Sequence, residues 1–387
     1  MNSIKIKNNL RTSEAINMGA SFFPVIVTHV GVSSETDSLK VEREKIKRAI
    51  AVGANMIEDL SLVGDIDEIQ KRLLEDLSVP LAAVSIYEIY SKVRINGLKL
   101  TPDKFLETVE AEMKRGVDML TIHATVLQND VNLLRESKRL IPSTSRGGTM
   151  LLELLHKNNF ENPFYTHFDE ILKMAKKYSV CISLGPCYRP GSVCDSYIGE
   201  PLHTMELERM AKLVKMAQEY EVGIAVEGVG HSPLNVIPKL IKDSKEICHN
   251  APYRVMTLPT DIALGYDHIA SAIGSAAAVL NGADSIACVS RSEHIGLPTL
   301  EDIEEAVIST KIAAYCGYAA RTGDFSRDRE MSVARQKSGC IGKLNAALFP
   351  EHARTAIERY NYFRNNKECT MCGDFCALNT SERLNSK

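Results

Sequence analysis

Short apolar runs rich in β-branched residues alternate with longer amphipathic stretches over the first 320 residues of the chain. Runs of this kind are typical of buried strands, and apolar positions that recur every three to four residues are typical of helices. Strands are predicted at residues 25–31, 56–61, 81–87, 118–124, 140–146, 180–186, 222–228, 253–257 and 284–290. Helices are predicted at residues 38–51, 65–76, 101–115, 167–177, 207–220 and 298–314.

Repeated alternation of strand and helix predicts a parallel sheet, and the length favours a closed (β/α)8 TIM barrel over an open doubly wound sheet. A barrel needs eight strands, so we expect one of the nine to be an extra strand or a loop. The C-terminal strand ends of a barrel meet at one mouth, whereas an open sheet lines them along a crevice. Polar residues near these ends are His29, Asp59, Tyr87, His123, Ser145, Arg189, Glu227, His231 and His294.

The pattern changes after about residue 320. Charged helical stretches at 321–345 and 350–365 precede a tail that contains cysteines. We therefore predict three parts: a barrel domain at 1–320, a helical extension at 321–365 and a cysteine-containing tail at 366–387.

Composition excludes several classes of protein. The 387 residues are 44% hydrophobic and 25% charged, which is typical of globular proteins. The formal charge is -3 without a long basic run, so we expect no nucleic-acid partner. No stretch approaches the ~20 apolar residues of a membrane helix, and the first residues lack the apolar core of a signal peptide. We expect a cytoplasmic protein with no membrane partner, whose ten scattered cysteines are mainly reduced thiols.

The tail carries the strongest chemical signal. Cys369, Cys372 and Cys376 form the pattern CxxCxxxC, and clustered thiolates suit an iron–sulfur cluster or zinc. Structural zinc requires four ligands, and no fourth cysteine or histidine follows within the tail. A [4Fe-4S] cluster on three cysteines leaves one iron open to substrate or S-adenosylmethionine. Exposed thiols, or a zinc site completed from elsewhere in the chain, remain alternatives.

Several motifs together resemble one known family. These are TIHATVL (121–127), TSRGG (144–148), SLGPCYRPGS (183–192), VEGVGHSPL (226–234), TDIALGYDHIASAIG (260–274), EHIGLPTLED (293–302) and the tail CTMCGDFC. In sequence and order they resemble the phosphomethylpyrimidine synthase family, from about residue 8 to 378. The resemblance implies a radical S-adenosylmethionine carbon–carbon lyase that rearranges 5-aminoimidazole ribotide. It also implies an external electron donor and a homodimer.

The resemblance further implies roles for individual residues. Cys369, Cys372 and Cys376 match the ligands of a [4Fe-4S] cluster, while His231 and His294 match ligands of a divalent metal, zinc or iron. Substrate-binding positions match Tyr87, His123, Ser145, Arg146, Gly147, Arg189, Glu227 and Tyr253. Of these, Glu227 and His123 are the predicted catalytic residues. Without the resemblance, His231 and His294 could be ordinary polar residues, and Tyr87 and His123 could be side chains that fill the barrel interior. Arg189 could be a turn residue, and Glu227 could cap the turn that contains His231.

The chain departs from the thiamin branch of this family at the predicted barrel mouth. His29, Glu58 and Pro186 stand where that branch usually has asparagine, methionine and aspartate. These changes alter charge and hydrogen bonding, so substrate handling is expected to differ. We therefore place first the paralogous branch that makes 5-hydroxybenzimidazole for cobamides, including a version that needs a paralogous second subunit. Phosphomethylpyrimidine synthase itself is the alternative, followed by a non-catalytic partner subunit.

Overall fold

The computed structural model describes residues 2–33, 38–359, 371 and 375–385. The strands are β1 (Ser3–Ile6), β2 (Ile16–Gly19), β3 (Val25–Val30), β4 (Met56–Asp59), β5 (Leu81–Val84), β6 (Met119–Ile122), β7 (Cys181–Leu184), β8 (Ile224–Gly228), β9 (Tyr253–Val255) and β10 (Ser285–Ala287). The helices are α1 (Leu39–Ala51), α2 (Ile66–Glu75), α3 (Ser85–Asn96), α4 (Pro102–Arg115), α5 (Asp130–Glu136), α6 (Arg146–Asn158), α7 (Pro163–Thr166), α8 (Phe168–Tyr178), α9 (Pro201–Glu219), α10 (Ile237–Ile247), α11 (Asp267–Leu280), α12 (Leu300–Thr322), α13 (Ser326–Ala346), α14 (Pro350–Arg359) and α15 (Ala377–Asn385).

Strands β3 to β10 close into a parallel barrel. They pair in chain order, and β10 pairs with β3 to complete the ring. Each barrel strand is followed by at least one helix before the next begins, as a right-handed parallel connection requires. The predicted (β/α)8 barrel is therefore confirmed, and so are eight of the nine predicted strands.

The remaining predicted strand, at 140–146, is wrong. This segment is a loop that leads into α6, and its apolar Leu140 is 74% exposed. The backbone amides of Leu140 and Ile141 donate hydrogen bonds to the Asp195 carboxylate at 2.9 and 3.0 Å. A side chain thus takes the hydrogen bonds that a neighbouring strand would have accepted.

Local sequence explains where the helices begin and end. Helix α4 begins with Pro102, which needs no amide donor at this position, and ends before Gly116, whose φ of 107° few other residues tolerate. Its apolar positions Phe105, Val109 and Met113 recur every four residues and are fully buried. The helix therefore buries one face and leaves the other to solvent.

An antiparallel hairpin, β1 and β2, covers the N-terminal end of the barrel. Ile4, Ile6 and Met18 are almost completely buried there. They share one apolar cluster with residues near the starts of the barrel strands, namely Val25, Val27, Met56, Ala82, Met119, Cys181 and Ala225. This end of the barrel is filled by packed side chains, so the open end lies at the C-terminal strand ends.

The chain divides into two compact units, Met1–Arg321 and Thr322–Lys387. The second unit contains α13, α14 and α15, and α13 packs against α14. Helices α13 and α14 lie within the predicted extension at 321–365, and α15 lies within the predicted tail at 366–387. The three-part division of the chain stays a prediction. No helix among the described residues is both long and apolar enough to span a membrane.

Candidate active site at the C-terminal mouth of the barrel

A cavity of about 350 Å³ opens at the C-terminal ends of the barrel strands. Nine of the ten predicted substrate and metal residues line it: Tyr87, His123, Ser145, Arg146, Gly147, Arg189, Glu227, His231 and His294. The three residues that depart from the thiamin branch, His29, Glu58 and Pro186, line it as well. The fold thus brings together positions that are more than 260 residues apart in the chain.

Tyr253 does not line this cavity, contrary to the prediction that it binds substrate. Its side chain is fully buried, and its hydroxyl lies close to Gly228. Neighbouring residues of a strand point to opposite faces, so the side chain that enters the barrel from β9 is that of Arg254.

Arg254 joins the two carboxylates on the cavity floor. Its Nη2 donates to Glu58 Oε2 at 2.7 Å, and its Nη1 donates to Glu227 Oε1 at 2.6 Å. Burial would raise the pKa of Glu58, but the Arg254 charge and hydrogen bonds from His29 and Thr121 outweigh it and lower that pKa. Glu58 is therefore ionised at neutral pH, and the floor consists of paired charges.

One oxygen of Glu227 is left for a ligand. Ser183 and Arg254 both donate to Oε1 at 2.6 Å, and the Thr121 hydroxyl oxygen lies 3.1 Å from it. The other oxygen, Oε2, accepts no hydrogen bond within the described part of the chain, and the side chain is 18% exposed. Its carboxylate is held from below and can accept a hydrogen bond from an amino or hydroxyl group in the cavity.

The opposite wall is suited to an anion. Helix α6 begins here, and the Ser145 hydroxyl accepts the Gly148 amide at 3.0 Å, which leaves the Arg146 and Gly147 amides at the helix N-terminus. Neither Arg146 nor Arg189 forms an ion pair with any carboxylate that the structure describes. Arg189 Nε is buried without a hydrogen-bond partner. A phosphate group would satisfy these donors, because a guanidinium binds phosphate through two parallel hydrogen bonds.

His123 is enclosed by glycines. A Cβ atom at Gly147 would lie 2.3 Å from His123 Cε1, and one at Gly185 would lie 2.9 Å from His123 Nε2. Burial and the nearby Arg189 charge lower the pKa of His123 to about 4. The imidazole is thus neutral at physiological pH, and its Nδ1 is buried without a partner.

Two histidines lie close together at the rim of the cavity, and each contacts a carboxylate. The ring centroids of His231 and His294 are 5.4 Å apart. His231 Nδ1 lies 2.7 Å from Asp261 Oδ1, and His294 Nδ1 lies 3.3 Å from Asp267 Oδ1. Metal-binding imidazoles commonly make this contact with a carboxylate, which leaves Nε2 for the ion. The residues fit a divalent metal with two protein ligands, and positions remain open for water or substrate.

Reasoning from sequence did not identify three site residues, Asp261, Asp267 and Arg254. The two aspartates belong to the quoted motif TDIALGYDHIASAIG, but nothing in the motif itself connects them with histidines 27 to 30 residues away. Of the tail cysteines, Cys369 and Cys372 lie outside the described residues, whereas Cys376 is half-buried and directly precedes α15.

A model of the Radical SAM ThiC family matches residues 2–383. The chain belongs to this family. Membership makes it one of a family of enzymes and implies S-adenosylmethionine and an iron–sulfur cluster as cofactors. The recognition of the family from sequence is confirmed, although nothing in the match distinguishes its branches.

Curated relatives match nearly the whole chain. The phosphomethylpyrimidine synthase of Carboxydothermus hydrogenoformans is 39% identical, over 93% of this chain and 85% of its own length. The enzyme of that name from Dehalococcoides mccartyi is 37% identical, over 98% of this chain and 88% of its own length. The one from Pyrococcus furiosus is 40% identical, over 90% of this chain and 82% of its own length. Among solved structures, Yersinia pestis dihydropteroate synthase has a TM-score of 0.45 and 12% identity, over 80% of this chain and 98% of that one, which is too weak to bear on function.

Proposed function

We propose that this protein is a phosphomethylpyrimidine synthase of thiamin biosynthesis, which rearranges 5-aminoimidazole ribotide to hydroxymethylpyrimidine phosphate. The names of the curated relatives support this alternative over the 5-hydroxybenzimidazole synthase that we placed first from sequence. The cavity supports a ribotide substrate, because it combines cations without an ion-pair partner at a helix N-terminus with a held carboxylate and a histidine pair. A phosphorylated, amino-bearing substrate matches these groups.

In this proposal each wall of the cavity binds a different part of the substrate. Arg146, Arg189 and the first amides of α6 hold the phosphate. Glu227 Oε2 accepts a hydrogen bond from the amino or ribose hydroxyl group, because Ser183 and Arg254 already donate to its Oε1. His123 is neutral and offers a nitrogen to the bound molecule without adding charge.

Two cofactor sites complete the proposal. Cys369, Cys372 and Cys376 would hold a [4Fe-4S] cluster, which with S-adenosylmethionine and an external electron donor supplies the radical that starts a carbon–carbon lyase reaction. His231 and His294 would hold zinc or iron(II), which supplies Lewis-acid polarisation of an oxygen atom. The chain's own contribution is the orientation of both imidazoles by Asp261 and Asp267.

The charged cavity floor favours a second candidate, 5-hydroxybenzimidazole synthesis. His29 and Glu58 replace neutral residues of the thiamin branch, and Glu58 forms an ion pair with Arg254 below the substrate space. Pro186 also removes a carboxylate acceptor that the thiamin branch usually has. A floor with different donors and acceptors would orient the same ribotide differently.

Product analysis distinguishes these candidates. The full chain would be reconstituted anaerobically with iron and sulfide and given S-adenosylmethionine, a reductant and 5-aminoimidazole ribotide. We expect hydroxymethylpyrimidine phosphate by mass spectrometry. A hydroxybenzimidazole mass would instead support the second candidate, and cofactor cleavage without either product would indicate another substrate or a missing paralogous subunit. No cleavage by the cluster-loaded chain would favour a non-catalytic partner. A homodimer and a cytoplasmic location are further parts of the proposal.

A further inference from the structure

We propose that His29 and Glu58 form a carboxylate–imidazole pair that transfers a proton to or from the molecule bound in the cavity, with Arg254 as a positioning residue. The inference rests on the proposed function only in placing the substrate in this cavity. It assigns a task to residues at which the chain departs from the thiamin branch, and nothing in the family resemblance or the relatives' names provides that task.

The geometry of the pair supports this role. His29 Nε2 lies 3.3 Å from Glu58 Oε2, and both residues line the cavity. The His29 side chain is 25% exposed, whereas that of Glu58 is 5% exposed. The carboxylate contacts the ring at Nε2, so the tautomer with its proton on Nε2 points that proton toward Glu58. Nδ1 is then the ring nitrogen that keeps a lone pair for the bound molecule.

Arg254 keeps the carboxylate in place and charged. The guanidinium donates from Nη2 to the same Glu58 oxygen that faces His29, at 2.7 Å. Thr121 Oγ1 donates to the other oxygen of Glu58 at 2.8 Å. Both oxygens are thus engaged, so the carboxylate cannot rotate away from the imidazole. The neighbouring positions Leu60 and Ala287, which also line the cavity, carry no charge that would compete.

The proton transfer balances without another reactant. The Nδ1 lone pair of His29 takes a proton from an N–H, O–H or acidified C–H of the bound molecule, which keeps the bonding electron pair. The imidazolium that forms is stabilised by Glu58, to which it donates through Nε2, and the reverse step returns the proton. His123 is less suited to this task, because its pKa of about 4 disfavours the protonated form.

Nuclear magnetic resonance of the full chain tests the pair without any cofactor or turnover. The histidines are labelled with 15N, and the His29 signal is identified as the one that is missing in His29→Asn. We expect this signal to show a protonated Nε2 and an unprotonated Nδ1 in the neutral ring. Glu58→Gln should lower the population of this tautomer, while the exposed control His167→Asn should leave the His29 signal unchanged. A His29 ring protonated on Nδ1, or a tautomer that Glu58→Gln does not alter, would overturn the proposal.

Turnover provides the second test. His29→Ala is expected to lower kcat for product by about 100-fold or more and to change KM by less than about threefold, because the proton is transferred only in the reaction. Arg254→Lys should retain more activity than Arg254→Ala, since it keeps a donor for Glu58. Unchanged kcat in His29→Ala would refute the role. If the wild-type chain forms no product at all, the proposed function fails, while the tautomer measurement still decides the pair.

Discussion

Side chains at the cavity are positioned by contacts that leave little free space. The clearest example is His123, whose ring occupies volume that a β-carbon at residue 147 or 185 would otherwise take. Motif matching alone identifies Gly147 as a substrate contact, and the structure adds that this glycine also makes room for the histidine. The two explanations predict different consequences of substitution.

Gly147→Ala is expected to destabilise the fold by about 1–3 kcal/mol, because the new methyl group must displace the buried ring of His123. Urea unfolding measures this loss. Gly296→Ala is the control, since a Cβ there meets no atom within 4 Å. If both variants unfold at the wild-type urea concentration, the close packing of Gly147 against His123 is not present in solution.

The unpaired guanidinium of Arg189 leads to a prediction about ligand class. Arg189→Ala should weaken binding of ribose 5-phosphate by about 10- to 100-fold, because a charged hydrogen bond contributes about 1.5–3 kcal/mol. Isothermal titration calorimetry measures the affinity. Arg43→Ala is the control, because Arg43 is paired with Asp76 on the surface of α1. Equal affinity of wild type and Arg189→Ala for the phosphate ester would show that this wall is not the anion site.

At the scale of elements, helices α3 and α4 bury an acidic cluster outside the barrel. Ser85 Oγ donates to Glu112 Oε2 at 2.5 Å, and Arg115 donates to Glu88 at 2.7 Å. Burial and the Glu88 charge raise the pKa of Glu112 to about 8, although Arg115 and Ser85 act in the opposite direction. The folded chain therefore holds a proton on Glu112 that the unfolded chain releases above its ordinary pKa.

This proton makes stability depend on pH. The contribution of Glu112 is fully present below the ordinary glutamate pKa of 4.5 and is lost as pH rises through about 8. The free energy of unfolding should fall with a slope of at most about 1.4 kcal/mol per pH unit from this group. Glu112→Gln should reduce the slope between pH 5 and 8, whereas Glu107→Gln, on the exposed face of α4, should not. Identical slopes for wild type and Glu112→Gln would contradict the buried neutral carboxyl.

The elements also show which structural features the sequence could predict. Eight barrel strands were predictable because each is a buried run between helical stretches. The segment 140–146 has the same composition, but its hydrogen bonds go to Asp195, a residue more than 45 positions away. Similarly, the predicted strand 81–87 ends at Val84, because α3 begins at Ser85 and places Tyr87 in its first turn. Hydrophobic periodicity cannot distinguish a strand from a loop, or a strand end from a helix start, when the residues are apolar in either case.

The hairpin of β1 and β2 makes a separate contribution to stability. Ile6→Ala should cost about 2–5 kcal/mol, because the isoleucine is fully buried at the closed end of the barrel. Leu10→Ala, at a side chain that is 58% exposed, should change stability by less than about 0.5 kcal/mol. Chemical unfolding compares the two, and ribose 5-phosphate affinity should remain equal in both. A loss of ribose 5-phosphate affinity in Ile6→Ala alone would mean that packing at the closed end of the barrel also affects the cavity at the open end.

At the scale of the whole molecule, the proposed metal ligands are of two kinds and belong to two regions of the chain. Imidazoles at the barrel mouth suit zinc or iron(II), whereas thiolates in the tail suit an iron–sulfur cluster. The histidine pair could be proposed from its motifs, but its carboxylate partners became evident only when the loop after β9 was seen beside the loops after β8 and β10. Long-range pairing of this kind depends on the closed barrel and not on local pattern.

The two kinds of ligand predict metal sites that respond to different substitutions. Asp261→Asn should weaken zinc binding by the cluster-loaded chain about 10- to 100-fold, because it removes the carboxylate that orients His231. Cys372→Ser should remove cluster iron and its visible absorption after reconstitution, whereas Asp261→Asn should retain both. Elemental analysis and zinc titration of both variants measure these effects. Loss of cluster iron in Asp261→Asn, or unchanged cluster iron in Cys372→Ser, would contradict this division of ligands between the barrel and the tail.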